Sequence, residues 1–151
     1  MDCQAEMKSD SFCVVPVGYV VRKDAGGPES VEQLSIEALR VEAVRIVVKG
    51  AFAEALLGLA AGDDILVLCY LDRASQNTLR VHPRGDQTRP LRGVFATRSP
   101  ARPNPISVTT ARILSVVGTC LEVVGLDALD GSPVLDIKPH SAYFDEPYRD
   151  G

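Results

Sequence analysis

The sequence predicts a mainly β domain, a small antiparallel β-barrel carrying one or two helices. Three observations predict it. Short runs rich in Val, Ile and Leu recur along the chain, bounded by Gly, Pro and Asp. Few of the connections between them are long enough for a helical crossover. No Gly-x-Gly-x-x-Gly string follows a strand, which disfavours a Rossmann domain.

The elements follow in order. Residues 1–11 are polar and read as a disordered tail. Phe12 to Arg22 is β-branched and aromatic and predicts a first strand, with Pro16 marking an edge or a bulge. Lys23 to Ser35, with Gly26, Gly27 and Pro28, reads as a loop. Leu39 to Lys49 has strand character, on the partial alternation of Leu39, Val41 and Ala43. Ala51 to Ala61 is rich in helix formers and predicts a helix capped by Gly62. Asp64 to Leu71 predicts a buried strand, and Asp72 to Leu79 a short helix with Asp72 as its N-cap. Gly93 to Thr97 reads as a short strand. Ile106 to Val117 and Cys120 to Leu126 flank Gly118 and Thr119 as a hairpin, and Val134 to Ile137 is a last short strand. The barrel domain is expected over 12–140, with a second tail over 141–151.

At 151 residues the chain forms one domain with a core of its own. Its 46% hydrophobic and 24% charged residues are ordinary for a soluble protein. No apolar run approaches the roughly 18 residues that span a bilayer. The first residues carry no basic and then apolar signal pattern. Cys3, Cys13, Cys69 and Cys120 are scattered, and the last three sit among Val and Leu as buried thiols. No disulfide or metal framework is expected, and a cytoplasmic setting fits.

The net charge of −4 is unevenly placed. Between Arg73 and Arg102 lie seven arginines (Arg73, Arg80, Arg84, Arg89, Arg92, Arg98 and Arg102) against one acid, Asp86. That stretch carries +6, and the remainder −10. A local basic stripe of arginine forks suits bidentate contacts to phosphate whatever the total charge. The stripe runs into Gly93 to Ile106, where Pro100, Pro103 and Pro105 stiffen a loop that presents Arg98, Ser99, Arg102 and Asn104. A stiff loop bearing polar forks loses little entropy when a ligand arrives.

A second dense motif runs from Leu126 to His140 and carries Asp127, Asp130, Asp136 and Lys138. Asp130 and Gly131 signal a turn, and Asp136 has Lys138 as a ready partner. The alternative is that these carboxylates orient a ligand ammonium or hydroxyl, or take a proton. Carboxylates facing guanidinium groups are poor bases, which favours orientation. His82 and His140 are the only histidines. Either is a surface histidine or a proton acceptor, and with the cysteines so dispersed they make no zinc site.

The strings Arg92 to Ile106 and Leu126 to Pro139 together resemble the TrmO (YaeB, TsaA-like) family. Val17 to Val20 looks like its opening strand, and Leu66 to Ala74 like its central strand and following turn. The resemblance covers most of residues 14–140. It implies a small β-barrel methyltransferase, dimeric with a second copy of itself, that uses S-adenosyl-L-methionine (SAM). The reaction it implies is methylation of N6 of N6-threonylcarbamoyladenosine, beside the anticodon of threonine tRNAs. On this resemblance Arg98, Ser99, Arg102 and Asn104 line a SAM pocket with Asp127, Asp130 and Asp136 nearby. Arg80, Arg84, Arg89, Arg92 and Lys138 hold RNA, and neither a membrane nor a metal is involved. No catalytic base is identifiable. The chain departs from the family at Ser107, where a glycine is usual, at Val21 to Lys23, where Ser-Pro is usual, and in having no Trp. It resembles the short members that lack a C-terminal domain. Two rival readings are a SAM-binding or RNA-binding module without catalysis, and a methyltransferase for a different substrate.

Overall fold

The structure, a computed structural model, describes residues 11–22 and 36–149. In chain order it contains β1 (Gly18–Val21), α1 (Ile36–Val41), β2 (Val44–Val48), β3 (Asp64–Tyr70), β4 (Arg80–Val81), β5 (Arg92–Gly93), β6 (Ile106–Val117), β7 (Cys120–Val124), β8 (Pro133–Pro139) and α2 (Ala142–Asp145). Six strands close a barrel in the order β1-β2-β7-β6-β3-β8, every neighbouring pair antiparallel. β4 and β5 form a two-stranded ribbon apart from it. The expected fold class is therefore the observed one.

Period-two patterning sets the interior. Val44, Ile46 and Val48 of β2, Ile65, Val67 and Cys69 of β3, and Leu121 and Val123 of β7 point inward and are buried. Val20, Leu56, Ala111, Ile113, Leu126, Ala128 and Val134 complete the same cluster. Each fully buried Val, Leu or Ile contributes about 1.5–3 kcal/mol relative to exposure. β1 needs a glycine where it crosses β2. A Cβ on Gly18 would lie 2.5 Å from the Val47 carbonyl oxygen, a backbone atom that has no rotamer to yield. Cross-strand neighbours Asp64 and Arg112 form a bidentate pair on the outer surface, Nε and Nη2 each donating at 2.8 Å. That hydrogen-bonded guanidinium holds the Asp64 carboxyl below its ordinary pKa.

Antiparallel order sorts the connections between the two barrel ends. The end where β3 finishes and β6 and β8 begin carries the long connections 71–105 and 125–132. The other end carries 49–63 and the residues after β8.

Several local expectations are corrected. β1 is only four residues long, and Pro16 precedes it, so the proline marks neither an edge nor a bulge. Leu39 and Val41 belong to α1, because the Glu37-Ala-Leu-Arg40 core is made of good helix formers. Inward alternation starts only at Val44. Residues 51–61 give a 3-10 helix, Gly50–Leu56, that stops at the extended Leu57. Gly62 is no cap; its N–H donates to the Ile113 carbonyl, leading the chain into β3. Asp72 to Leu79 forms turns, since its backbone bonds outward: the Ser75 carbonyl accepts from the Arg102 N–H at 3.0 Å. The strand expected at 93–97 reduces to β5 followed by a 3-10 turn, Val94–Ala96. Gly118 at φ 58° makes the β6–β7 hairpin as expected. Cys69 is buried, but Cys120 is only partly so and Cys13 is exposed, because residue 13 precedes the barrel wall. Cys3 and the loop expected over 23–35 lie outside the described residues.

Gly18→Ala should destabilise the barrel by about 1–3 kcal/mol through overpacking, read as a lower melting temperature with the far-ultraviolet spectrum retained.

Candidate functional site

At the long-loop end of the barrel, the start of β6, the proline loop and the β7–β8 connection enclose a cleft of about 350 Å³. That volume lies in the range of small-molecule sites. Arg98, Ser99, Arg102 and Asp127 all line it, together with Arg40 and Thr109. The two motifs singled out in the sequence, some thirty residues apart, thus meet in one place because β6 and β7 pair and carry their flanking loops together.

Arg102 builds the loop from within. Its Nε donates to the Ser99 carbonyl at 2.9 Å, and its Nη2 to the carbonyls of Val94 and Thr97 at 2.6 Å each. The Thr97 hydroxyl also caps the turn, donating to Val94 O at 2.9 Å and accepting from the Ser99 N–H. With Arg102 so engaged, the exposed Arg98 is the guanidinium that faces outward from the loop. Across the cleft, Asp127 accepts a 2.7 Å hydrogen bond from the Thr109 hydroxyl. Cys69 lies beneath. Burial first, and then the Asp127 charge, push its thiol up to about 12, so it stays protonated and unreactive at neutral pH.

Three expected members sit elsewhere. Asn104 is exposed and does not line the cleft. Asp130 is occupied by structure: its carboxylate accepts from the Arg22 N–H at 2.8 Å. Asp136 pairs with Lys138 at 2.6 Å, and both line a different cavity of about 710 Å³ floored by Phe52, Leu56 and Ile65. Lys138 is therefore removed from the arginine stripe.

The stripe itself forms a second cleft. Arg84, Arg89, Arg92 and His82 line a space of about 1020 Å³ beneath the β4–β5 ribbon. Arg98 and Ser99 line both clefts, so the two spaces adjoin. Arg80, on β4, lies outside the lining. Arg84 adopts φ 59°, a left-handed conformation uncommon for a side-chain-bearing residue, at the ribbon's turn. Asp86 serves the turn: Thr88, through its hydroxyl and its N–H, bonds the Asp86 carboxylate and lowers its pKa, and Arg89 Nε joins at 3.2 Å. His82 Nδ1 meets the Arg89 carbonyl at 2.7 Å. His140 is exposed, 3.8 Å from Asp145.

Arg40 and Thr109 are lining residues that the sequence reading missed. Arg40 was hidden by reading its segment as a strand. Thr109 was indistinguishable from any polar residue in an alternating strand.

Residues 32–146 match the model of TrmO_N, the tRNA-methyltransferase O N-terminal domain. The chain belongs to the TrmO family. Both motifs that carried the resemblance fall inside the matched stretch. TrmO from Pseudomonas aeruginosa superposes with a TM-score of 0.64 at 28% identity, covering 89% of this chain and 58% of that one. A probable S-adenosyl-L-methionine-binding protein of Pyrococcus horikoshii is 36% identical over 145 residues, 93% of this chain and 91% of its own length. A mouse tRNA (adenine(37)-N6)-methyltransferase is 53% identical over 55 residues, 36% of this chain and 13% of the mouse protein. Against three further archaeal relatives the match spans 28%, 63% and 57% of their lengths. Among the described residues, no helix is long and apolar enough to cross a membrane.

Alkylation of the native TrmO-family chain at pH 8, followed by peptide mapping, should modify the exposed Cys13 and spare Cys69 until the barrel is denatured.

Proposed function

We propose that this chain is a SAM-dependent tRNA methyltransferase acting on N6 of N6-threonylcarbamoyladenosine next to the anticodon. The observation that carries the reading is the adjacency of the two clefts, one sized for a small molecule and one lined by arginines, joined through Arg98 and Ser99. The donor set of the smaller cleft fits SAM. Arg98 offers a fork for a carboxylate. Asp127 offers an acceptor for an ammonium or a ribose hydroxyl. Leu71, Ile106 and Val108 offer apolar surface to an adenine. When bound, SAM supplies an electrophilic methyl group.

The chain's own residues then do positional work. Arg102 holds the proline loop rigid, so the cleft is formed before the ligand arrives. Arg84, Arg89 and Arg92 hold phosphates of the RNA and bring a base towards Ser99 and Arg98. Alignment of two reactants is itself a large share of rate acceleration in a displacement of this type. The names of the archaeal and mouse relatives support the cofactor and the adenine N6 position respectively. Assembly as a cytoplasmic homodimer belongs to the same proposal, and the exposed apolar Leu114 and Val117 of β6, outside the cleft, support it.

Incubation with SAM and threonine tRNA that carries the threonylcarbamoyl group but lacks the N6-methyl should add one methyl to that nucleoside, read by mass spectrometry. SAM binding with no mass gain would overturn the reading in favour of a binding module, and methylation of another nucleoside in favour of a different substrate. Arg98→Ala should weaken SAM binding at least roughly tenfold, the worth of a charge-assisted hydrogen bond, with the melting temperature unchanged. Arg84→Ala should weaken RNA binding for all sequences alike and flatten its dependence on log salt concentration by about one unit of slope.

A further inference from the structure

We infer that Arg22 is a positioning residue for the cofactor cleft, acting through Asp127; the inference rests on the cofactor reading proposed above. Arg22 follows β1 at the long-loop end of the barrel, and its side chain is only 2% exposed. Its Nη2 donates to the Leu126 carbonyl at 2.7 Å and its Nε to the Ala128 carbonyl at 2.8 Å. Those two carbonyls belong to the residues on either side of Asp127. One guanidinium therefore grips the backbone immediately before and after the carboxylate that lines the cleft.

The grip fixes which way the segment faces. Leu126 and Ala128 are buried, and Asp127 between them faces Thr109 and the cleft. A slip by one residue would bury the carboxylate and expose the leucine. Two further contacts complete the clamp. The Arg22 N–H holds the Asp130 carboxylate at 2.8 Å, and Nη1 meets Glu42 Oε2 at 2.7 Å. The Arg40 carbonyl, two residues before Glu42, accepts from the Gly125 N–H at 2.9 Å. The end of α1 and the residue after it are thereby tied to the same connection.

The strand pattern calls for an apolar residue at this place. Arg22 occupies the inward parity of Gly18 and Val20. An apolar side chain here would take the donor away from the Leu126 and Ala128 carbonyls and from Glu42, at a cost to stability as well as to the cleft. What an apolar residue cannot supply is two parallel donors at the spacing of carbonyls i−1 and i+1. A lysine cannot supply them either, since it is a single point of charge without the planar fork.

The test is a double-mutant cycle on SAM affinity by titration calorimetry of the full chain, with melting curves for every variant. Arg22→Lys should weaken SAM binding about threefold to a hundredfold, the range of coupling between contacting residues. The same change in an Asp127→Asn background should add little further loss. Glu42→Gln removes only the partly exposed end of the clamp. It should weaken SAM binding in the same direction but less, with an unchanged melting temperature, and it decides the matter if Arg22→Lys does not fold. Equal losses from Arg22→Lys in both backgrounds overturn the inference, as does unchanged affinity in Arg22→Lys, or in Glu42→Gln where that variant must decide, while Asp127→Asn binds weakly. Unchanged affinity in Asp127→Asn, or no SAM binding by the unaltered chain, overturns the cofactor reading instead, and the inference falls with it.

Discussion

Three backbone carbonyls converge on the guanidinium of Arg102, and the site depends on that convergence. A loop of this kind has polar backbone groups with no strand to pair them. Left unpaired and partly buried, each such group costs free energy on the scale of a lost hydrogen bond. One planar side chain satisfies three of them at once and, in doing so, selects a single loop conformation. The prolines narrow the choice beforehand by fixing φ at three positions. Arg102 then closes what remains. The two devices are complementary: proline restricts the unfolded ensemble, and the guanidinium bonds only the folded one.

The same economy appears across the cleft, where Arg22 serves the β7–β8 connection. Two loops flank the β6 face of the cleft, and each is organised by an arginine whose donors go to atoms of the chain itself. That division frees the exposed Arg98 and the Thr109-bonded Asp127 to present opposite charges to the space between. Charge separation within the chain follows a matching logic. Seven of the twelve arginines crowd into one excursion from the barrel, and most of the acids lie in the rest of the sequence.

The barrel was legible because β2, β3 and β7 are short, β-branched and apolar runs bounded by turn residues, while the burial of every second residue shows only once the wall closes. The proline loop and the Asp127 connection were legible as motifs because rigid polar loops need unusual residues. What failed were short elements whose conformation is decided from outside. Asp72 to Leu79 has helical composition, yet Ser75 must offer its carbonyl to Arg102. Leu39, Val41 and Ala43 alternate like a strand, but the first two belong to a segment composed like a helix, and composition won. The separate placement of Asp136 and Lys138 was hidden for a geometric reason. β8 carries them along the barrel to line the cavity opposite the cleft, and proximity in sequence to Asp127 says nothing about distance along a strand. Arg22 showed only as part of a departure from the family at Val21 to Lys23, since a charged residue at the end of a strand is ordinary until its burial is seen.

A sheet that closes on itself has no free edge. An open sheet of six strands would offer two rows of unpaired amides, and sequence change near either row would risk recruiting a neighbouring molecule. Here the scaffold strands pair on both sides, and among the described elements outside it the ribbon of β4 and β5 is only two residues long. Insertions and substitutions in the 71–105 excursion therefore reshape the rim of the clefts without exposing a template for aggregation. The fold tolerates experiment at its rim because its wall is complete.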